Sequence, residues 1–227
     1  MEFSLFVHME RLTPDQPHDQ LNEEFIALCK MADDAGMRAV WTGEHHGMEF
    51  TIAPNPLMSL VNVAHHTKNV RLGTGTIIAP FWHPIKLAGE AASADLLTGG
   101  RIELGIARGA YSYEYERLRP GMDAWEAGQR MREITPLLRK LWVGDCAHEG
   151  EFFQFPATTS APKPVITLEC YCTTRGTDSF TLLNFCSLVD KCTTKSEVVI
   201  NCFPIGKRKI YGFQTDIVGV KSAGKVD

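Results

Sequence analysis

The feature that most constrains this chain is an alternation of period within residues 1–165. Short apolar runs that suit strands take turns with stretches whose apolar residues recur every three or four positions. Ser4 to His8 reads as a strand, and Leu21, Phe25, Leu28, Ala32 and Ala35 then share one helical face, ended by Gly36, where a left-handed cap costs glycine least. Ala39-Val40-Trp41 is a second strand, and a helix around Leu57 to His65 follows the turn at Pro54 and Pro56. Val70 to Ile78 is the third strand, Pro84 opens a helix to about Leu97 closed by Gly99-Gly100, and Ile102 to Ala107 is the fourth strand. Ala127, Met131, Ile134, Leu138 and Leu141 mark a further amphipathic helix. Its Pro136 predicts a kink, or a restart with Thr135 as cap, because an interior proline costs roughly 3 kcal/mol. Four β-α units in this order imply a parallel sheet with right-handed crossovers, either a (β/α)8 barrel or an open doubly wound sheet. Alternation alone does not choose between them.

The pattern stops near Val165, and composition changes there too. Residues 1–165 hold all eight His, all four Trp and all eight Met, with 15 Lys+Arg against 21 Asp+Glu. Residues 166–227 hold five of the seven Cys, eight Thr and one Pro, with 8 Lys+Arg against 6 Asp+Glu. Two units are therefore expected, 1–165 and a tail 166–227, joined by a linker from Phe155 to Val165, where Pro156, Pro162 and Pro164 favour extended chain. A net charge of −4 argues against a basic nucleic-acid-binding module. The chain has no run of eighteen apolar residues and no basic, signal-like start, so a cytoplasmic protein with reduced thiols is expected, not a secreted or membrane-spanning one.

Glu44-His45-His46 directly follow a strand, at the end where ligands bind in parallel α/β folds. In extended chain Glu44 and His46 point to one side and His45 to the other. An imidazole titrating near neutral pH suits general acid/base work, although a hydrogen-bonded structural histidine satisfies the same position. Glu44 and His46 could also share a metal with His8 or His83, but the spacing is no specific zinc signature. His65-His66 close a helix and read as structural or solvated. Leu72-Gly73-Thr74-Gly75-Thr76 puts two glycines inside an apolar strand, explained by tight packing, by a bulge, or by a flat ligand approaching the backbone. Arg108-Gly109 places a guanidinium on the same rim, suited to phosphate or carboxylate, with Tyr111, Tyr113 and Tyr115 beside it as a loop surface or a ligand wall. Cys170, Cys172, Cys186, Cys192 and Cys202 lack paired CxxC spacing and a nearby histidine.

Taken together, Gly36 to His46, the strand Leu72 to Ile78 with Pro80 and His83-Pro84, and Asp95 to Arg101 leading to Gly105 and Arg108-Gly109 resemble the bacterial luciferase-like flavin monooxygenases, over residues 1–165. The resemblance implies a (β/α)8 barrel of TIM type, with the N-terminal half present, that binds reduced FMN, or F420 in some branches, at the carboxyl rim. It implies His45 as the catalytic acid/base and Glu44, Gly75, Thr76 and Arg108 as cofactor-binding residues, with a non-prolyl cis peptide at Gly75-Thr76 and Ala107 in place of a cysteine. The implied activity is oxygenation of a small organic substrate, with reduced flavin supplied by a separate reductase and no metal. The alternative is a truncated or non-catalytic flavin-binding subunit of the same family. The tail matches no family pattern and is expected to leave the barrel incomplete. Four parallel strands would then have open edges, favouring a homo- or hetero-oligomer.

Overall fold

The computed structural model describes residues 2–165, apart from positions 12 and 50, and the strand segments 170–172, 186–187, 197–203 and 212–216. The chain runs β1 (Glu2–Val7), α1 (His18–Asp34), β2 (Ala39–Thr42), α2 (Pro56–Ala64), β3 (Arg71–Thr74), β4 (Ile77–Ile78), a 3-10 turn (Ala79–Phe81), α3 (Pro84–Leu97), β5 (Ile102–Ala107), α4 (Ser112–Leu118), α5 (Ala124–Val143), β6 (Cys146–Glu149) and β7 (Gln154–Thr158). The tail adds β8 (Cys170–Cys172), β9 (Cys186–Ser187), β10 (Glu197–Phe203) and β11 (Gly212–Asp216). Cys192 lies outside the described residues.

Strands β1, β2, β3 and β5 are neighbours and parallel, each followed by helix, as the alternation requires. Their odd and even positions separate cleanly. Leu5, Val7, Val40, Leu72, Ile102, Leu104 and Ile106 join one core with Leu21 and Phe25 of α1, Leu60 of α2, Leu87 of α3 and Leu138 of α5. Each such side chain contributes about 1.5–3 kcal/mol by leaving water. The opposite face carries Phe6, Trp41, Gly73 and Glu103 at matched register. A Cβ on Gly73 would stand 2.1 Å from the Trp41 ring, so this glycine is needed for packing. Helix starts follow local chemistry: Asn55 Oδ1 accepts from Met58 N ahead of Pro56, His83 Nδ1 from Ile85 N ahead of Pro84, and Asp123 from Glu126 N. Gly36, Gly99 and Gly100 take positive φ where helices end.

Four expectations need correction. The third strand is not continuous over 70–78 but breaks at Gly75-Thr76, whose peptide is cis. Of the two outcomes expected at Pro136, a kink or a restart, the restart is the one corrected: α5 passes through Pro136 as one helix, and Thr135 is interior, its hydroxyl donating to Met131 O one turn back instead of capping. The stretch 155–165 is not a free linker. Its start belongs to β7, antiparallel to β6, with Pro156 in the register irregularity that tolerates a missing N–H. Its remainder is held to the end of α5 by Ser160 N, Thr159 Oγ1 and Lys163 Nζ, all donating to Leu141 O, and to α3 by Val165 N donating to Asp95. Finally, the edges of the four-strand set are covered: β10 lies parallel to β1, β8 parallel to β5, and antiparallel β11 and β9 flank them. Among the described residues the two ends of this sheet do not pair with each other, so the barrel is not closed.

Candidate functional site

Past β2 the chain runs through Gly43 to His46 without regular structure, sewn to the β3–β4 break by two backbone bonds. Gly75 N donates to Thr42 O at 2.8 Å and Glu44 N to Thr76 O at 3.1 Å. His45 N donates to Ala53 O at 3.3 Å, which fixes the far side. The side chains alternate: Glu44 and His46 meet each other, and the His45 ring turns the other way.

Glu44 is 2% exposed, and its carboxylate is engaged by protein donors. Ile78 N donates at 2.8 Å, Trp82 Nε1 at 3.0 Å, and His46 Nε2 lies 2.6 Å away. Burial pushes the Glu44 carboxyl up, and the bond to Glu44 pushes His46 up. Glu44 thus locks the break at residues 75–76, the start of α3 and the His46 ring into one assembly. Of the two residues considered as further metal ligands, His83 caps α3 and lines the same cavity as Glu44 and His46, while His8 neighbours His45. Among the described residues no three His, Cys, Asp or Glu side chains gather as a metal cluster.

His45 lies against Glu114, its Nδ1 3.3 and 3.4 Å from the two carboxylate oxygens, and its ring centroid is 5.5 Å from that of Tyr111. Glu114 is 1% exposed and also accepts from His46 N at 2.8 Å. His8, at the end of β1, is lowered to about 4 by burial and then by His45, so it is neutral at physiological pH. The tyrosines divide their work. Tyr111 and Tyr113 stack at 5.2 Å, whereas Tyr115 is buried, its hydroxyl donating to Arg108 O and Gly109 O and fixing the turn after β5. Arg108 stands on the β5 rim, where Nη1 donates to Ala124 O at 3.3 Å. A Cβ on Gly75 would meet Phe6 at 2.5 Å, so the side-chain space of this glycine is filled by the protein's own ring. His65 and His66 are exposed.

Sequence reasoning did not single out Glu114. It sits 69 residues from His45, on a seven-residue helix with no strong pattern; the only signal was an acidic residue between tyrosines just after a strand end. An open cavity of about 540 Å3 lies on the Glu44–His46 side, lined also by Asn55, Trp82, Lys86 and Arg119. Of the expected site residues it includes Glu44 and none of His45, Gly75, Thr76 and Arg108.

With these parts in place, residues 1–173 match the family described as luciferase-like monooxygenase. The chain belongs to the luciferase-like monooxygenases. Over 165 residues it is 64% identical to the oxygenase component of flavin-dependent trigonelline monooxygenase from Acinetobacter baylyi, covering 73% of this chain and 46% of that protein. The monooxygenase RslO1 from Streptomyces bottropensis superposes with a TM-score of 0.71 at 30% identity, covering 76% of this chain and 53% of that one. The oxygenating constituent of 3,6-diketocamphane monooxygenase from Pseudomonas putida, solved with FMN, superposes with a TM-score of 0.67 at 22% identity, covering 76% and 51%. This luciferase-like chain therefore spans about half the length of the relatives it matches. Among the described residues, no helix is long and apolar enough to cross a membrane.

Proposed function

We propose that this chain acts as the oxygenase component of a two-component flavin monooxygenase, with His45 as acid/base and trigonelline or a closely similar flat heteroaromatic as substrate. The observation that carries the reading is the family match over residues 1–173, which contains His45, Gly75, Thr76 and Arg108, together with 64% identity to a trigonelline monooxygenase component. The donor set fits a flavin. Among the described residues Arg108 uses Nη1 alone, leaving its other N–H groups for a phosphate at the strand-end rim. Reduced FMN, supplied by a separate reductase and preferred here over F420, provides the electrons and the activation of oxygen. The chain's own residues do the rest. Arg108 and the 75–76 peptide hold the cofactor, Tyr111 offers a face to a pyridinium ring, and His45 moves a proton at that ring's edge. Glu44 acts beneath the site, holding the 75–76 segment. We place the protein in the cytoplasm, working as an oligomer.

The test supplies reduced FMN from a separate reductase and measures oxygen-dependent conversion of trigonelline. His45→Ala should lower turnover at least about a hundredfold with an unchanged circular dichroism spectrum, in line with general acid/base contributions. Full activity in that variant overturns the assignment, and conversion that runs only with reduced F420 overturns the choice of cofactor.

A further inference from the structure

We infer that Glu114 is the positioning residue that sets the tautomer of His45, holding the proton on Nδ1 and leaving Nε2 as the unprotonated nitrogen that does acid/base work. The inference rests on the reading of His45 given above for its catalytic meaning, but its structural half stands alone. Glu114 comes from α4, His45 from the extension of β2, and the carboxylate serves both neighbours at once: Oε1 takes His46 N at 2.8 Å, and Oε2 lies 3.3 Å from His45 Nδ1. An ionised carboxylate only accepts, so the imidazole nitrogen facing it must be the one that donates. Because the same carboxylate fixes the backbone at His46, it sets where the ring stands as well as which nitrogen carries hydrogen. Tyr111 flanks the ring at 5.5 Å.

The discriminating variant is Glu114→Gln. Its amide oxygen can keep the shorter bond from His46 N, which turns the amide NH2 toward His45 Nδ1. A donor then stands at the Oε2 place, the one nearer Nδ1, while the amide oxygen is taken up by His46 N, which favours a ring that accepts at Nδ1 and carries its hydrogen on Nε2. The experiment is nitrogen-15 NMR of the histidine rings in the flavin-free chain, on the alkaline side of imidazole titration, with the His45 signals assigned by their loss in His45→Gln. The expected result is Nδ1–H in the wild type and Nε2–H in Glu114→Gln. In turnover assays that variant should lose about a hundredfold in kcat with KM little changed. An Nε2–H wild type overturns the inference even if the variant does not fold, and so does one tautomer common to both folded proteins. If the tautomer flips while kcat holds and His45→Ala is inactive, the positioning role in catalysis is overturned. If His45→Ala is itself fully active, the failure belongs to the proposed function, because the NMR result is read without flavin or substrate.

Discussion

At the residue scale, the two glycines of Leu72 to Thr76 show how one sequence signal can have two physical causes. Either a ligand or a neighbouring side chain can demand the absence of a Cβ, and here the neighbours are the Trp41 and Phe6 rings. Gly75→Ala should therefore destabilise the unliganded chain by about 1–3 kcal/mol, because Phe6 is 3% exposed and cannot swing into water. Thermal melting without flavin checks this, with Phe6→Leu in the same chain recovering part of the loss. An unchanged melting temperature with lost flavin affinity would instead assign the space to the ligand. The strand-end histidines were legible because extended backbone obeys a period of two, which sends His45 and His46 to opposite sides whatever else the fold does. What each ring meets there was not legible. Glu114 and Tyr111 arrive from another element, and a contact across 69 positions leaves no local trace.

At the scale of elements, the β-α order and the helix ends could be read in advance, since apolar spacing, prolines at first turns and glycines at last turns are local physics. The β6–β7 hairpin could not, because its anchor is a single distant carboxylate. Glu133 of α5 accepts from Phe152 N at 3.1 Å and Phe153 N at 3.0 Å, and meets His148 Nε2 at 2.9 Å. Burial opposes the charge on Glu133, but these three partners outweigh it and hold the carboxyl below its usual range. A carboxyl depressed on folding stabilises the protein above its unfolded value and loses that contribution as pH falls through the folded one. The hairpin should thus loosen in acid, below about pH 4.3, before the parallel core does. Hydrogen exchange at the Phe152 and Phe153 amides measures this, and Glu133→Gln should exchange faster at neutral pH while losing the acid step. Acid exchange that is identical in both proteins would mean that Glu133 does not anchor the hairpin.

At the scale of the molecule, six strands run parallel, β10-β1-β2-β3-β5-β8, and the sheet stays open among the described residues. Among the described residues the rim that a closed barrel would supply is therefore only partly built, and the proposed function assigns the phosphate to Arg108. FMN should accordingly bind with a Kd weaker than about 10 μM, or less than roughly 7 kcal/mol. Fluorescence titration of the purified chain decides it, since sub-micromolar binding by a monomer would show that residues 166–227 complete the rim.

The pairing of β1 with β10, Glu2 beside Glu197 through Val7 beside Cys202, also has a consequence in time. Strand β1 must wait until β10 has been made before this edge is covered. The β1–β2, β2–β3 and β3–β5 contacts span far fewer residues and can form while synthesis continues, because closing a short loop costs less entropy than closing a long one. During that interval the exposed edge of β1 can recruit any extended segment nearby, including the same edge on a neighbouring nascent chain. Yield of the folded chain should for this reason depend more on the rate of translation and on chaperone supply than on the final stability of the sheet.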